Sequence, residues 1–338
     1  MAMRGVVRAC VALPVLLAAA LAPMLAPTPA VAVGPTLGPT LGEVAISGLH
    51  NTYQRSAFSR LANALALRPG MIEIDVWTTF SAWTVSHDQP FWNDNNCTST
   101  SGAVNQGLRT CVDNIAAWHN ANPSHPPLLV KLELKAGFQD DQGFGPDELD
   151  AVFRTRLGAA MYRPADLMQG IHPTPDAAAR ANAWGEADTL RGRVLLLVLK
   201  GTSEFDSLPT DIEYARYLST HPATAVGFPF VHDGIAGTDP RSRYEAVLRP
   251  WFVVFDGAAT SFVALTAAQR AFYSANRYLV VATDSHAVAP ALSRTSPTTQ
   301  QATDRLRLLG CAGASVASAD WYTVPGWHLT VPRGGCAL

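Results

Sequence analysis

The chain has 338 residues, of which 48% are hydrophobic and 15% charged, and its 25 basic side chains nearly balance 27 acidic ones. Charged residues are too scarce, and apolar ones too frequent, for a disordered chain or a coiled coil. The formal net charge of −2 gives no long-range attraction to phosphate backbones, and no Lys/Arg run is interleaved with aromatic residues. The composition therefore indicates a globular protein and excludes nucleic acid as an expected partner.

The first 32 residues have the pattern of a secretory signal peptide. Arg4 and Arg8 precede an apolar stretch that begins at Ala9, and the small residues Ala30-Val31-Ala32 follow it. Four prolines interrupt this region, which argues against a membrane anchor. No other segment has the ~20 apolar residues that a spanning helix requires. We therefore predict an exported, extracellular protein that is cleaved near Ala32.

Cysteine usage agrees with export. Cys10 would leave with the signal peptide, and Cys97, Cys111, Cys311 and Cys336 would remain. An even number of cysteines in an exported chain predicts two disulfides, with three possible pairings. Proximity favours Cys97–Cys111 and Cys311–Cys336. Zinc binding is the alternative, but the spacing contains no C-x-x-C pair.

The rest of the chain alternates between predicted strands and helices. Residues 33–42 are rich in Gly and Pro and predict a tether, followed by one domain over residues 43–338. Short aliphatic or β-branched runs predict eight strands, at Val44–Leu49, Met71–Trp77, Leu128–Leu134, Val194–Leu199, Ala225–Val231, Phe252–Phe255, Tyr278–Ala282 and Ala314–Ala317. Helical spacing predicts six helices between them, at Ala57–Leu67, Ala103–Asn120, Asp147–Leu157, Tyr214–Leu218, Ala267–Asn276 and Thr298–Leu309.

This alternation predicts the fold class. Strands joined by helical crossovers form parallel sheets. Eight of them in about 300 residues favour a single-domain, TIM-like (β/α)₈ barrel, in which chemistry sits at the C-terminal ends of the strands. A doubly wound open sheet is the alternative, but no G-x-G-x-x-G or Walker loop follows any strand.

Two neighbouring strands carry acids in alternation with aliphatic residues. Glu73 and Asp75 lie on the face opposite Ile72, Ile74 and Val76. The next predicted strand repeats the pattern with Lys131, Glu133 and Lys135 opposite Val130, Leu132 and Leu134. A solvated edge strand or a surface salt-bridge ladder would give the same alternation. In a barrel, however, the aliphatic face meets the helices and the acids must point inward, where they require a cation.

These acids, with an amide nearby, predict a metal site. Glu73, Asp75 and Glu133, together with Asn51 at the end of the first strand, form an all-oxygen ligand set. Oxygen ligands favour Ca²⁺ or Mg²⁺ over zinc, and an exported protein meets calcium more readily. His50 follows the first predicted strand, and His87 ends a brief β-like run that begins at Trp83, soon after the acidic strand. A pair of imidazoles beside the metal can exchange protons near pH 7.

Four motifs follow one another along the chain: GLHNTYQ, IEIDVW, VSHD and LLVKLELK. In this order they resemble the catalytic half of the calcium-dependent phosphoinositide-specific phospholipase C family, in particular its small secreted bacterial branch. The resemblance implies a TIM-like barrel with Asn51, Glu73, Asp75 and Glu133 as calcium ligands. It implies His50 and His87 as the catalytic histidines, and Lys131, Lys135 and Lys200 as residues facing the phosphate or inositol.

The resemblance also implies an activity and a partner. A member of this family cleaves phosphatidylinositol to diacylglycerol and a cyclic inositol phosphate, with the inositol 2-hydroxyl as the attacking group. We expect a bare catalytic domain, monomeric, that meets phosphoinositide lipid at a membrane surface without a transmembrane anchor. The chain lacks a recognisable Ser-x-Arg-x-Tyr inositol-reading segment, so the resemblance does not define head-group specificity.

Two other functions fit part of the pattern. A glycerophosphodiester phosphodiesterase uses a related barrel with Glu-x-Asp and a divalent metal, but opens with His-Arg-Gly rather than the His50-Asn51-Thr52 found here. A catalytically silent barrel that binds a head group is the other alternative, although every ligand and histidine position is occupied.

Overall fold

The computed structural model describes residues 38–79, 81–88, 94–204 and 208–334. It contains ten strands, in chain order β1 (Val44–Leu49), β2 (Met71–Thr79), β3 (Ala82–Val85), β4 (Leu128–Leu134), β5 (Val194–Lys200), β6 (Gly227–Val231), β7 (Val254–Ala258), β8 (Leu279–Thr283), β9 (Val316–Ala319) and β10 (Thr330–Pro332). All except β3 and β10 are parallel, and β9 pairs with β1 to close the barrel. The predicted (β/α)₈ barrel is therefore confirmed, with all eight of its predicted strands.

Helices follow most barrel strands and cover the barrel. They are α1 (Leu61–Ala66), α2 (Leu108–Ala121), α3 (Pro146–Leu157), α4 (Pro164–Met168), α5 (Pro175–Arg180), α6 (Thr210–Thr220), α7 (Ala259–Ala264), α8 (Ala267–Ala275) and α9 (Thr299–Ala312). The sequence predicted α1, α2, α3, α6, α8 and α9. It missed α4, α5 and α7 because five or six residues complete fewer than two turns, too few for a helical period to show. Every helix in the described ranges is too short or too polar to cross a membrane.

The acidic strands form part of the barrel wall. Glu73 of β2 lies in register with Lys131 of β4, and Asp75 with Glu133. Lys131 also lies 3.7 Å from Asp256 of β7, three strands away, and such a contact is possible only across the barrel interior. The aliphatic residues between the acids are fully buried in the core formed with the surrounding helices. The expectation that the acids point inward is confirmed, and a solvated edge strand is excluded.

Two short antiparallel strands extend the barrel. β3 returns along the C-terminal end of β2, and Trp77 in β2 donates a hydrogen bond from Nε1 to the Ser86 carbonyl, 3.1 Å away. The Ser86 N–H, next to His87, donates a hydrogen bond to the Asp75 carbonyl, 3.3 Å away. At the opposite end, β10 pairs with the first half of β1. Neither was predicted as a barrel strand, since three or four residues give almost no alternation.

The described end of the predicted tether packs against the barrel. Thr40 donates a hydrogen bond from Oγ1 to Asn182 Oδ1, 2.7 Å away, and Leu41 is only 2% exposed. Residues 38–42 thus contact the domain that we predicted to begin at residue 43. The predicted signal peptide and the first part of the tether lie outside the described residues.

One disulfide joins the segment after β3 to helix α2. Cys97 and Cys111 are bonded, with Cα atoms 5.0 Å apart, and both are fully buried. This confirms the first predicted pairing. Cys336, half of the second, lies outside the described residues, so that pairing stays a prediction.

Replacing Cys97 and Cys111 together with Ala should lower the free energy of unfolding by about 3 kcal/mol, because the bond closes a loop of about 15 residues in the unfolded chain. Urea denaturation of the variant and the parent measures this difference. Ser101→Ala, an exposed change in the same loop, serves as the control and should leave the midpoint unchanged. Equal midpoints for the double variant and the parent would contradict the prediction.

Candidate active site

A cluster of three carboxylates lies inside the mouth of the barrel. Oxygen atoms of Glu73, Asp75 and Glu133 lie within 4.8 Å of one another. The Glu73 and Asp75 side chains are 3% and 2% exposed, and that of Glu133 is 14% exposed. The acids are therefore nearly removed from water, where negative charge is costly unless cations compensate it.

Two lysines, one in β4 and one directly after it, supply part of that compensation. Lys131 Nζ lies 2.9 Å from Glu73 Oε1, and Lys135 Nζ lies 2.8 Å from Asp75 Oδ2 and 2.9 Å from Glu133 Oε1. Burial by itself would raise the pKa of Glu73, but Lys131 and the nearby His50 outweigh it and lower that pKa. These lysines are the residues expected from the resemblance to face substrate, and here both contact the acids.

The compensation is incomplete at Asp75. Burial, followed by repulsion from Glu133 and Glu73, raises the pKa of Asp75 to about 7 despite the Lys135 contact. Asp75 Oδ1 and Glu73 Oε2 are also buried and accept no hydrogen bond from the described residues. Buried oxygens without a donor are costly, and an additional cation would satisfy both. The cluster thus fits a hard divalent ion.

Asn51 adjoins this cluster through Tyr53. Asn51 is 7% exposed, and its backbone is left-handed, with φ of 47°, a conformation that asparagine tolerates better than most residues. The Tyr53 hydroxyl lies 3.5 Å from Asn51 Oδ1, and burial together with the neighbouring Asp75 raises the pKa of Tyr53. The left-handed turn thus directs the chain after β1 back toward the acids.

His50 connects the acid cluster to the last barrel strand. Its Nδ1 donates to Asp320 Oδ1 at 2.7 Å, and its Nε2 lies 3.7 Å from Glu73 Oε2. Burial favours the neutral ring, but Glu73 and Asp320 outweigh it and raise the pKa of His50 to about 9. His50 is therefore a cation at neutral pH. Asp320 also accepts hydrogen bonds from Arg294 and Tyr322, at 2.9 and 3.0 Å.

The second predicted histidine lies at the rim. His87 follows β3, is partly exposed, and its Nδ1 lies 2.7 Å from Asp88 Oδ1. This pairing occupies Nδ1 and leaves proton exchange to Nε2. Lys200, at the end of β5, lies 3.8 Å from Glu204, and its ion pair within the described residues involves none of the three clustered acids.

The barrel brings to the site three residues that were not among the predicted site residues. Asp320 follows β9, and it is the partner of His50. His232 follows β6, and its Nδ1 lies 3.7 Å from Oδ1 of the buried Asp256 in β7. His232 and Asp320 each follow a strand as a single polar residue, and Asp256 lies inside β7, directly after the predicted strand Phe252–Phe255. No local spacing distinguishes such residues from a turn. Their positions after strands predicted to be parallel were the available signal.

The chain is similar to two solved phospholipase C structures. It is 38% identical to a Ca²⁺-dependent phosphatidylinositol-specific phospholipase C from Streptomyces antibioticus, with a TM-score of 0.83 over 88% of this chain and 100% of that one. A calcium-dependent phosphoinositol-specific phospholipase C from a Pseudomonas species matches at 16% identity and a TM-score of 0.64, over 88% of this chain and 96% of that one. The second similarity shows the fold alone.

No protein-family model matches the chain, and no curated protein does. The chain is more than 30% identical to the Streptomyces enzyme over the full length of that enzyme. Residues of three of the four motifs, GLHNTYQ, IEIDVW and LLVKLELK, contact one another at one barrel mouth. The chain belongs to the calcium-dependent phosphatidylinositol-specific phospholipase C family.

Proposed function

We propose that this protein is a calcium-dependent phospholipase C that cleaves phosphatidylinositol to diacylglycerol and a cyclic inositol phosphate. The observation that carries the proposal is the buried cluster of Glu73, Asp75 and Glu133, with two unsatisfied oxygens, beside a positively charged His50. The membership of the chain in the phospholipase C family identifies phosphatidylinositol as the substrate class that suits this site.

Glu73, Asp75, Glu133 and Asn51 would hold the calcium ion. When bound, calcium would offset charge on a phosphoryl oxygen and lower the pKa of the inositol 2-hydroxyl. Three carboxylates and an amide match the oxygen ligands that this ion prefers. Lys131 holds Glu73 from the side of the barrel centre and so orients one of these ligands.

In the first half of the reaction, the inositol 2-hydroxyl attacks the adjacent phosphorus. Its proton passes to one of the carboxylates, Glu73 or Glu133. The His50 cation, held by Asp320, donates a hydrogen bond to a phosphoryl oxygen as negative charge develops there. Asp320 is a positioning residue in this scheme.

The second half releases the lipid. As the bond between phosphorus and the diacylglycerol oxygen breaks, His87 Nε2 donates a proton to that oxygen. The Asp88 carboxylate orients the ring through Nδ1. The products are diacylglycerol and the cyclic phosphodiester of inositol.

The opposite side of the barrel mouth suits a sugar-like ring. His232 Nδ1 and Asp256 Oδ1 are 3.7 Å apart, too far for a direct hydrogen bond, and neither is satisfied by the described residues. A single substrate hydroxyl could accept a hydrogen bond from His232 Nδ1 and donate one to Asp256 Oδ1. Together with Lys200, which the resemblance places toward substrate, these groups would orient the inositol.

The leader sequence and the lipid substrate both bear on where the enzyme acts. Arg4, Arg8 and the apolar stretch after them support export, and a lipid substrate requires the enzyme to act at a membrane surface. We propose that it does so as a secreted monomer.

The central test is turnover of phosphatidylinositol vesicles with calcium, with chelator, and with magnesium. Activity should be lost on chelation and return only with calcium, and phosphorus NMR should show a cyclic phosphodiester as the first product. Glycerophosphoinositol, the substrate of the alternative phosphodiesterase, should remain intact. Turnover that persists in chelator, or a product that is never cyclic, would contradict the proposal.

His87→Ala should lower kcat on phosphatidylinositol by about 10²–10⁴-fold, because a positioned general acid contributes about that much. An inositol phosphodiester with an acidic phenol as leaving group should lose far less, since that oxygen departs without a proton. His286→Ala, at another strand end of the same barrel face, is the matched control and should retain activity on both substrates. An equal loss on the two substrates would assign His87 another role.

Asp320→Asn should lower the pKa of His50 from about 9 toward its ordinary value near 6.5, because the variant removes a carboxylate bonded to the ring. NMR titration of His50 in chelator measures this directly. Since less His50 is protonated at high pH, kcat/KM should fall by about tenfold or more at pH 8 and less at pH 6. Arg294→Gln, which removes only an exposed partner of Asp320, should change both readouts little. An unshifted His50 pKa would refute the positioning role.

A further inference from the structure

The acid cluster contains a cation that belongs to the chain itself. Lys135 Nζ lies between two of the proposed calcium ligands, 2.8 Å from Asp75 Oδ2 and 2.9 Å from Glu133 Oε1. Its side chain is 11% exposed, so water screens these contacts little. One ammonium thus links the two acids, each through a single oxygen.

A divalent ion held by the same acids would meet this ammonium at close range. Three positive charges within a few ångströms, at a site largely removed from water, repel one another strongly. The oxygens that contact Lys135 would also be withdrawn from the ion. Binding of calcium and retention of the Lys135 contacts therefore oppose each other.

Lys131 is placed differently. It contacts Glu73 on one side and Asp256 on the other, with only 5% of its side chain exposed. Asp256 is not one of the proposed ligands and would hold Lys131 in place after an ion bound. Lys135 has no such second anchor, because both of its ion pairs within the described residues are with ligands.

The presence of lysine rather than arginine at position 135 agrees with a contact to the acids that can be exchanged for an ion. Only three of the 25 basic residues are lysines, namely Lys131, Lys135 and Lys200, and all are on β4 and β5 or directly after them. An ammonium is a compact charge on a flexible stem, whereas a guanidinium would grip a carboxylate with two parallel hydrogen bonds. A lysine can therefore leave the acids more readily than an arginine.

We propose that Lys135 is a built-in competitor for calcium. Without the ion it neutralises Asp75 and Glu133; when calcium binds, it gives up both contacts, and the cost of this exchange weakens the calcium affinity of the site. The freed ammonium then lies at the barrel mouth, where it can meet the substrate phosphate. This inference rests on the proposed calcium dependence and identifies the residue that sets the calcium requirement.

Calcium titration calorimetry without substrate tests the competition. Lys135→Met should bind calcium at least about tenfold more tightly than the parent, because no internal cation has to be displaced. Lys200→Met removes the same charge from the same barrel face without a contact to the acids, and its Kd should stay within about twofold. Equal or weaker binding by Lys135→Met would overturn the inference. Failure of the parent to bind calcium would instead overturn the proposed function, and the inference with it.

A measurement on the unaltered protein covers the case in which Lys135→Met does not fold. Reductive methylation read by peptide mass spectrometry reports the accessibility of each of the three lysines. Calcium should raise the labelling rate of Lys135 several-fold, while Lys131, anchored by Asp256, should remain protected. An unchanged or slower rate at Lys135 in calcium would show that the lysine keeps its acids, and would overturn the inference.

Discussion

The burial of acids inside a closed barrel is the constraint from which the rest of this site follows. Alternation along β2 and β4 turns the aliphatic residues toward the helices, so the side chains of Glu73, Asp75 and Glu133 are nearly removed from bulk water. The free-energy cost of burying these three carboxylates is offset only if cations lie close to them. Two lysines and a charged histidine lie against them, and two carboxylate oxygens still lack a donor.

The same electrostatics underlie the role that we propose for His50. Glu73 and Asp320 stabilise the His50 imidazole as a cation. In that form the ring can donate a hydrogen bond to a phosphoryl oxygen but cannot accept a proton. His87 has one exposed partner, Asp88, and lies on a hairpin added to the barrel wall. The two histidines thus have different environments, and a division between electrostatic stabilisation and proton donation is consistent with that difference.

Much of this architecture was readable in the sequence, since its signals are local. The period of two in IEIDVW and LLVKLELK specifies which side chains share a face. Eight aliphatic or β-branched runs that alternate with helical segments predict the barrel. The two candidate histidines were found because they follow strand-like runs, and the three acids because they alternate with aliphatic residues inside β2 and β4. Short elements such as α4 and β10 were missed, since a period needs more residues than they contain.

The sequence by itself determined the fold, the family and the set of acids, because strand periodicity and motif order are properties of neighbouring residues. Only the tertiary structure decided the partners. Asp320 meets His50 across 270 positions, and Asp256 meets Lys131 across the barrel centre. It also decided that Lys135 faces Asp75 and Glu133 directly. Closure of the barrel creates these contacts between residues far apart in the chain, and no local pattern encodes which strand ends will meet.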